Sequence, residues 1–137
     1  MNDIFCRIIA GEIPSAKVYE DEQALAILDL SQLNKGHTLV MPKAHYETML
    51  DCPKELLGHL FDIAKRIGIA QQKALGAAGV NILVNCYKEA GQEVPHFHIH
   101  VIPRYAGVEG GFHLVNEAQD TSKLDFAKLA ETLNQAL

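Results

Sequence analysis

Residues 94–105 read VPHFHIHVIPRY, and this stretch places a histidine at every second position of an otherwise apolar segment. A β-strand sends alternate side chains to opposite faces of its sheet. One face of the predicted strand therefore carries three imidazoles, from His96, His98 and His100. The other face carries three apolar side chains that suit a hydrophobic core, from Phe97, Ile99 and Val101. The segment thus predicts a strand that joins the core to a histidine-lined site.

Three interpretations of the histidine row follow from its spacing. The first is an ordinary solvent-facing strand, which the absence of Lys, Glu, Ser and Thr from the row disfavours. The second is a zinc site, because imidazoles two positions apart on a strand can share one ion, with His37, His45 or Cys6 as further ligands. The third is phosphate chemistry, in which one imidazole attacks phosphorus while its neighbours bind phosphate oxygens or protonate a leaving group. Spacing alone does not separate the last two.

The rest of the chain predicts an α+β fold in a single domain that spans residues 1–137. Strands are expected from AKVYED, ALAILDL, GHTLVMPK, GVNILVNCY and the histidine segment. Short turns join most of them, which favours an antiparallel five-stranded meander sheet. Helical periodicity predicts one long helix from Pro53 to about Gly76. The remaining expected elements are short terminal helices at residues 2–11 and at Lys123 to Gln135, the latter with a capping box of Ser122 and Asp125.

The composition limits the class of protein and the class of partner. Of the 137 residues, 48% are hydrophobic and 21% are charged, which is typical of a soluble globular protein. The formal net charge of -5 argues against broad binding to nucleic acid. Cys6, Cys52 and Cys86 are scattered and odd in number, which favours reduced thiols and a cytoplasmic location. The sequence shows no signal-peptide pattern and no apolar run of membrane-spanning length, so we expect no membrane association.

Several segments together resemble the histidine triad (HIT) family of nucleotide hydrolases and transferases. The family pattern His-φ-His-φ-His-φ-φ, where φ is apolar, is matched in full by residues 96–102. An AGQ segment precedes this pattern and an IPR segment closes it. DIFCRIIAGEIPSAKVYED at residues 3–21 and GHTLVMPKAH at residues 36–45 are also similar to the family. The resemblance covers Asp3 to Tyr105 and implies a HIT-like fold.

This resemblance implies a covalent mechanism centred on the middle histidine. His98 is expected to attack the α-phosphorus of a nucleotide and form a nucleotidyl-histidine, which water then cleaves. His100 is expected to contact the phosphate, and His96 to hold the triad from behind. The family's fourth histidine matches His37, whose expected role is to support His96 or His98. The reaction requires no metal.

The resemblance also implies substrate-binding residues. Asp29 is expected to accept hydrogen bonds from the ribose hydroxyls, and Asn85 to contact the phosphate or ribose. Gln92 is expected to donate to the phosphate or to the atom that bridges it to the leaving group. Glu93 stands where many members have a serine or threonine that helps to protonate the leaving group. A carboxyl there either acts as a general acid or alters the preferred leaving group. The purine base is expected in an apolar slot, although a core position explains its residues equally well: Phe5, Ile8, Ile13 and Leu30.

A second departure from the family concerns zinc. Many bacterial members begin with CIFC, and a zinc ion joins those cysteines to two histidines. The matching positions here are Asp3, Cys6, His45 and His96. Because a carboxylate replaces the first thiolate, a structural zinc is not favoured and we assign no metal ligand.

The predicted function is hydrolysis of a nucleoside 5′-monophosphate from its leaving group, in a phosphoramidate or a dinucleoside polyphosphate. Members of the family are usually homodimers, so a homodimer is expected. Two alternatives stay open. One is a zinc-dependent hydrolase with the triad as ligands, and the other is a nucleotide-binding regulatory protein with little turnover.

Overall fold

The computed structural model describes residues 2–107 and 121–137 and has an α+β architecture. Its helices and strands, in chain order, are α1 (Ile4–Ile9), β1 (Lys17–Glu20), β2 (Ala24–Leu28), β3 (Thr38–Pro42), α2 (Lys54–Leu75), β4 (Gly79–Leu83), β5 (Ile99–Arg104) and α3 (Phe126–Gln135). Two short 3-10 turns lie at Met49–Asp51 and Lys88–Ala90. The predicted five antiparallel strands, long helix and short terminal helices are confirmed.

The strands form one antiparallel sheet in the order β1-β2-β3-β5-β4. This order differs from a simple meander at one end, because the chain leaves β3 through α2, forms β4 at the edge and returns as β5 between β3 and β4. Four of the six residues of β5 are buried, whereas Ile82 of β4 is 47% exposed. The central position of β5 therefore removes more apolar surface from water than the reverse order would.

Helix α2 covers one face of the sheet and builds the main core. Its Leu60 packs in one cluster with Val40 of β3 and with Ile99 and Val101 of β5. Phe97 is 1% exposed in the same cluster, and burial of a side chain of this size stabilises a fold by about 1.5–3 kcal/mol. The predicted apolar face of the histidine segment is therefore confirmed as core.

Helix α1 lies against the opposite face of the sheet. Asp3 is its N-cap and accepts a hydrogen bond from the backbone N–H of Cys6 at 2.8 Å. Phe5 and Ile8 of the helix pack in a second cluster with side chains of β2 and β3. Because α1 is only six residues long, it covers part of this face, and a cleft lies beside it.

The C-terminal helix begins later than predicted. Asp125 accepts a hydrogen bond from the backbone N–H of Lys128 at 3.1 Å, so Asp125 and not Ser122 is the N-cap and α3 starts at Phe126 instead of Lys123. Phe126, Leu129 and Leu133 of this helix are all exposed. Within residues 2–107 and 121–137, no helix combines the length and apolar character needed to cross a membrane.

Candidate active site

A cleft of about 510 Å³ lies on the α1 side of the sheet. It is bounded by α1, by the segment after β2, by the ends of β3 and β4, and by the histidine segment. Most of the predicted site residues line it: Phe5, Ile8, Asp29, Leu30, His37, Asn85, Glu93, His98 and His100. Residues from five separate parts of the chain are thus brought to one concave surface.

The side chains of the histidine segment alternate between the two faces of the sheet, as predicted. Regular pairing begins at Ile99, where β5 joins β3, so only His100 of the triad lies within the strand itself. His96 is 0% exposed and His98 is 8% exposed. The interpretation as a solvent-facing strand is therefore wrong.

His98 carries its proton on the nitrogen that faces the backbone. Its Nδ1–H donates to the carbonyl oxygen of His96 at 2.7 Å, so the lone pair of the neutral ring is on Nε2. The Phe5 ring lies edge-on at 5.0 Å between centroids. Burial lowers the pKa of His98 below its usual range, although the hydrogen bond to His96 partly opposes this effect. The ring is thus held neutral with one lone pair, which is the state a nucleophile needs.

His100 has the opposite tautomer, and a chain of hydrogen bonds assigns it. The backbone N–H of Leu33 donates to His37 Nδ1 at 3.2 Å, so the proton of the neutral His37 ring is on Nε2. That Nε2–H donates to His100 Nδ1 at 3.0 Å. The proton of His100 is therefore on its own Nε2. Burial, together with the nearby His98 and His37 rings, lowers the pKa of His100 to about 4.

The contact of His37 differs from the prediction. We expected it to support His96 or His98, but it contacts His100. The register of β3 against β5 is the reason, because Leu39 pairs with His100 and His37 lies on the same face of β3 as Leu39. Burial lowers the pKa of His37, although the Asp29 carboxylate and a hydrogen bond with the Ser31 backbone partly oppose this effect. The sequence contained no side-chain signal for the role of Leu33, since its backbone N–H makes the contact.

The predicted substrate-binding residues fall into two groups. Asp29 and Asn85 line the cleft, and Asp29 accepts a hydrogen bond from the backbone N–H of Ser31 at 2.8 Å. In contrast, Ile13 packs against the second core cluster and is not among the cleft-lining residues. Leu30 lines the cleft but is 98% exposed, so it lies at the rim and not in a closed slot.

The side chain of Gln92 is occupied by the backbone. Its Nε2 donates to the carbonyl oxygens of Glu47 at 2.6 Å and Val94 at 3.0 Å, and its Oε1 accepts from the N–H of Tyr87 at 2.7 Å. It lines a neighbouring cleft of about 540 Å³ instead of the histidine cleft. Contact between Gln92 and phosphate stays a prediction, and it requires these hydrogen bonds to be exchanged.

Behind the triad, His96 faces a group that we call the anchor cluster: Asp3, Cys6, His45 and His96. One ligand atom from each of the four lies within 4.8 Å of the others. Asp3 Oδ2 is 2.9 Å from His45 Nδ1 and 3.3 Å from His96 Nδ1. Cys6 Sγ is 3.6 Å from each of these two nitrogens. The sequence alone points to these four positions, but the carboxylate in place of a thiolate does not favour a metal there.

The chemistry of the anchor cluster fits a metal ion. His96 Nε2–H donates to the carbonyl oxygen of Pro42 at 2.8 Å, so the lone pair of a neutral His96 ring is on Nδ1, facing the carboxylate of Asp3. His45 faces the same carboxylate with its Nδ1, 2.9 Å from Asp3 Oδ2. Burial and the neighbouring Asp3 raise the pKa of the Cys6 thiol, which donates to Asp3 Oδ2 at 3.3 Å, so a metal bound here would displace this proton. A cation at the centre would satisfy the converging lone pairs, and carboxylate, thiolate and imidazole are ligands that zinc accepts.

A second group of ligand-type residues, which we call the cleft cluster, comprises Asp29, His37 and His100. It fits a metal less well, because the proton on His37 Nε2 lies between the two histidines. Asp29 Oδ2 is 3.5 Å from that same nitrogen. Metal binding here would have to remove this proton or break the contact with Leu33. The arrangement therefore supports a hydrogen-bond chain, and it weakens the alternative in which the triad holds a catalytic zinc.

Comparison with known proteins defines the family. The HIT domain model matches residues 10–107. Protein hit of Bacillus subtilis is 45% identical over 138 aligned residues, covering 99% of this chain and 94% of that protein. The chain belongs to the HIT family. Whether residues 1–137 form one domain stays a prediction.

Two further similarities bear on chemistry. Adenylylsulfatase HINT3 of Arabidopsis thaliana is 44% identical over 101 residues, which cover 74% of this chain and 51% of that protein. A crystal structure of a zinc-bound histidine triad family protein from Mycobacterium smegmatis matches with a TM-score of 0.76 at 38% identity. That match covers 98% of this chain and 96% of the other. The family thus includes at least one protein named as a hydrolase of a nucleotide and one that binds zinc.

Proposed function

We propose that this protein is a nucleotide hydrolase that acts through a covalent nucleotidyl-histidine at His98. The observation that carries the proposal is the pair of opposite tautomers in one cleft. His98 has a lone pair on Nε2, while neighbouring His100 has a proton on Nε2, and their ring centroids are 5.0 Å apart. One ring can attack phosphorus while the other donates a hydrogen bond to a phosphate oxygen.

The substrate we propose is a purine nucleoside 5′-monophosphate linked to a leaving group through nitrogen or oxygen. Asp29 would accept hydrogen bonds from the ribose, and Asn85 would donate to the phosphate or ribose. The base would contact Phe5 and Ile8 on the α1 side. Burial of the reacting groups limits the access of water and strengthens these polar contacts.

In the first step, His98 Nε2 attacks the phosphorus and the bond to the leaving group breaks. The positive charge of the substituted imidazole is stabilised through Nδ1–H, which donates to the carbonyl oxygen of His96. His100 Nε2–H donates to the phosphoryl oxygens as negative charge develops on them. Water then attacks the phosphorus, the bond to His98 breaks, and the nucleoside monophosphate leaves. A protein named as an adenylylsulfatase among the relatives supports a hydrolase of this kind.

The proposal is tested with purified protein and adenosine 5′-monophosphoramidate, with and without a chelator. We expect AMP and ammonia at the same rate in both cases, because no step uses a metal. A loss of turnover on chelation that added zinc restores, with an unchanged melting temperature, would support the zinc-dependent hydrolase. Tight binding of AMP without turnover would support the regulatory protein instead.

We also propose that the anchor cluster holds a structural zinc ion, with Asp3, Cys6, His45 and His96 as ligands. The support is the convergence of four ligand atoms, with Asp3 Oδ2 2.9 Å from His45 Nδ1 and 3.3 Å from His96 Nδ1. A bound zinc would supply a cross-link between α1, the segment after β3 and the triad. The zinc-bound relative from Mycobacterium smegmatis agrees with this proposal.

A homodimer in the cytoplasm completes the proposal. Within residues 2–107 and 121–137, one side of edge strand β4 has no neighbouring strand, and its Ile82 is 47% exposed. Ile69 and Leu75 of α2 are also exposed. Pairing of these surfaces between two copies would cover them. The three cysteines are all unpaired, which agrees with a reducing compartment. Light scattering after size exclusion measures the assembly directly.

A further inference from the structure

The proposed reaction needs a proton for its leaving group, and the cleft offers few sources. An amine that departs from phosphorus must gain a proton, whereas a phenolate with a strongly electron-withdrawing group need not. Among the described residues that line the cleft, five side chains are acidic or basic: Asp29, His37, Glu93, His98 and His100. Their hydrogen bonds decide which of them can supply the proton.

The three histidines are unsuited to this task. His98 Nε2 is the attacking atom, and its only proton is engaged with the backbone of His96. His100 accepts from His37 at Nδ1, so the loss of its Nε2 proton would leave an imidazolate anion. The proton of His37 lies in that same contact. The histidine rings therefore bind the phosphate and attack the phosphorus, but they do not protonate the leaving group.

Asp29 is also engaged. Its Oδ1 accepts from the N–H of Ser31 at 2.8 Å, and its Oδ2 is 3.5 Å from His37 Nε2. The carboxyl of Glu93, by contrast, is exposed and makes no hydrogen bond or ion pair with the described residues. Glu93 is thus the one acidic group of the described cleft lining whose oxygens have no hydrogen-bond or ion-pair partner among the described residues.

The position of Glu93 suits the leaving group. Glu93 and Gly91 line both the histidine cleft and the neighbouring cleft of about 540 Å³. The neighbouring cleft contains no residue of the triad, and it is also lined by Glu47, Tyr87 and Lys88. A leaving group larger than ammonia can therefore extend from the phosphorus past Glu93 into this second space.

We propose that Glu93 is the general acid and general base of the reaction, a role that rests on the function proposed above. In the first step, the P–N bond breaks, the leaving nitrogen takes the carboxyl proton of Glu93, and the P–Nε2 bond to His98 forms. In the second step, the Glu93 carboxylate takes a proton from water as its oxygen attacks phosphorus. The P–Nε2 bond then breaks, which restores neutral His98 and protonated Glu93.

The test is the leaving-group dependence of the first step in Glu93→Gln. Two substrates are compared in single-turnover experiments: an N-alkyl phosphoramidate of AMP, whose amine needs a proton, and the p-nitrophenyl ester of AMP, whose leaving group does not. We expect Glu93→Gln to slow release of the amine about 100-fold more than release of nitrophenolate. Glu93→Asp retains a carboxyl and should recover part of that difference.

Glu89→Gln is the matched control, because Glu89 is an exposed glutamate of the same loop that lines neither cleft. It should slow the two substrates equally or not at all. If Glu93→Gln slows both substrates by the same factor, Glu93 is not the proton donor, although the proposed function stands. If the unmodified protein releases neither leaving group, the proposed function itself fails.

Discussion

The two clusters on either side of the triad use the same residue types for different purposes. The anchor cluster and the cleft cluster each combine two histidines with an aspartate, and in each the ligand atoms lie within 4.8 Å of one another. A search by residue type and distance treats them alike. What separates them is the location of protons, because backbone groups assign the tautomer of each ring.

In the anchor cluster, the carbonyl oxygen of Pro42 accepts a hydrogen bond from His96 Nε2–H. The lone pair of His96 is therefore on Nδ1, which faces Asp3 and Cys6. In the cleft cluster, the backbone N–H of Leu33 donates to His37 Nδ1. The proton of His37 is therefore on Nε2, which faces His100. Two backbone contacts thus decide that one cluster suits a cation and the other a phosphate anion.

The largest effect is expected at the nucleophile. His98→Ala should lower kcat by about 10⁴-fold or more, since removal of a nucleophile leaves only binding and electrostatic contributions. AMP affinity should change far less, because Asp29, Asn85 and His100 remain in the cleft. Calorimetry and steady-state kinetics measure the two quantities separately. His59→Ala is the control, since His59 pairs with Asp21 outside the cleft. Equal losses in the two variants would contradict the assignment.

The second effect concerns the hydrogen-bond chain. His37→Phe removes the donor to His100, and the loss of one hydrogen bond of about 0.5–1.5 kcal/mol should lower kcat/KM about 2- to 13-fold. The Leu33 N–H, left without its partner, should also lower the free energy of unfolding by about 1–3 kcal/mol. Nitrogen NMR of the His100 ring should show that the Nε2–H tautomer is no longer fixed. An unchanged His100 tautomer in this variant would mean that the chain does not assign the proton.

Metal content provides the third test. Purified protein should contain about one zinc per chain, and the double variant Cys6→Ser/His45→Asn should contain none. Because zinc at 100 times its Kd stabilises the folded state by about 2.7 kcal/mol, chelation should lower Tm by several degrees. His37→Phe, in the cleft cluster, should retain the zinc. Loss of zinc from His37→Phe but not from the double variant would reverse the two roles.

The smallest effect is the pH dependence of stability from the cleft cluster. The pKa of His37 is lowered and that of His100 is about 4 in the folded chain, against 6.5 for an ordinary histidine. The unfolded chain therefore binds more protons between pH 6.5 and 4, and stability falls as pH falls through this window. After allowance for solvent screening, His100 contributes about 1 kcal/mol of this loss. The Tm of His100→Asn, measured by thermal melts, should change less with pH across this window than the Tm of the unmodified protein. An unchanged slope of Tm against pH would contradict the burial of a neutral ring.

The sequence predicted those features that depend on local alternation and periodicity. The pattern of residues 96–101 placed Phe97, Ile99 and Val101 in the core and the histidines on the other face, because a strand leaves no other arrangement. Helical spacing gave α2 its correct span between Pro53 and Gly76. Most residues assigned by resemblance line one cleft.

The features that the sequence did not predict depend on long-range pairing or on the backbone. Local patterns do not determine how strands pair. The position of β5 between β3 and β4, and the contact of His37 with His100, both follow from this pairing. Leu33 assigns the tautomer of His37 through its backbone N–H, without any side-chain atom. Ile13 and Gln92 show a further limit, because apolar and amide side chains near a site are equally suited to structural contacts.

The central claim is that the lone pair on His98 Nε2 attacks phosphorus, and the mass of the trapped intermediate tests it most directly. The protein is mixed with adenosine 5′-monophosphoramidate, quenched within milliseconds under alkaline conditions and examined intact and after proteolysis. We predict a mass gain of one adenylyl group on the peptide that contains the triad, with fragmentation that locates it on His98. Turnover with the adenylyl group on His96 or His100 would contradict the account.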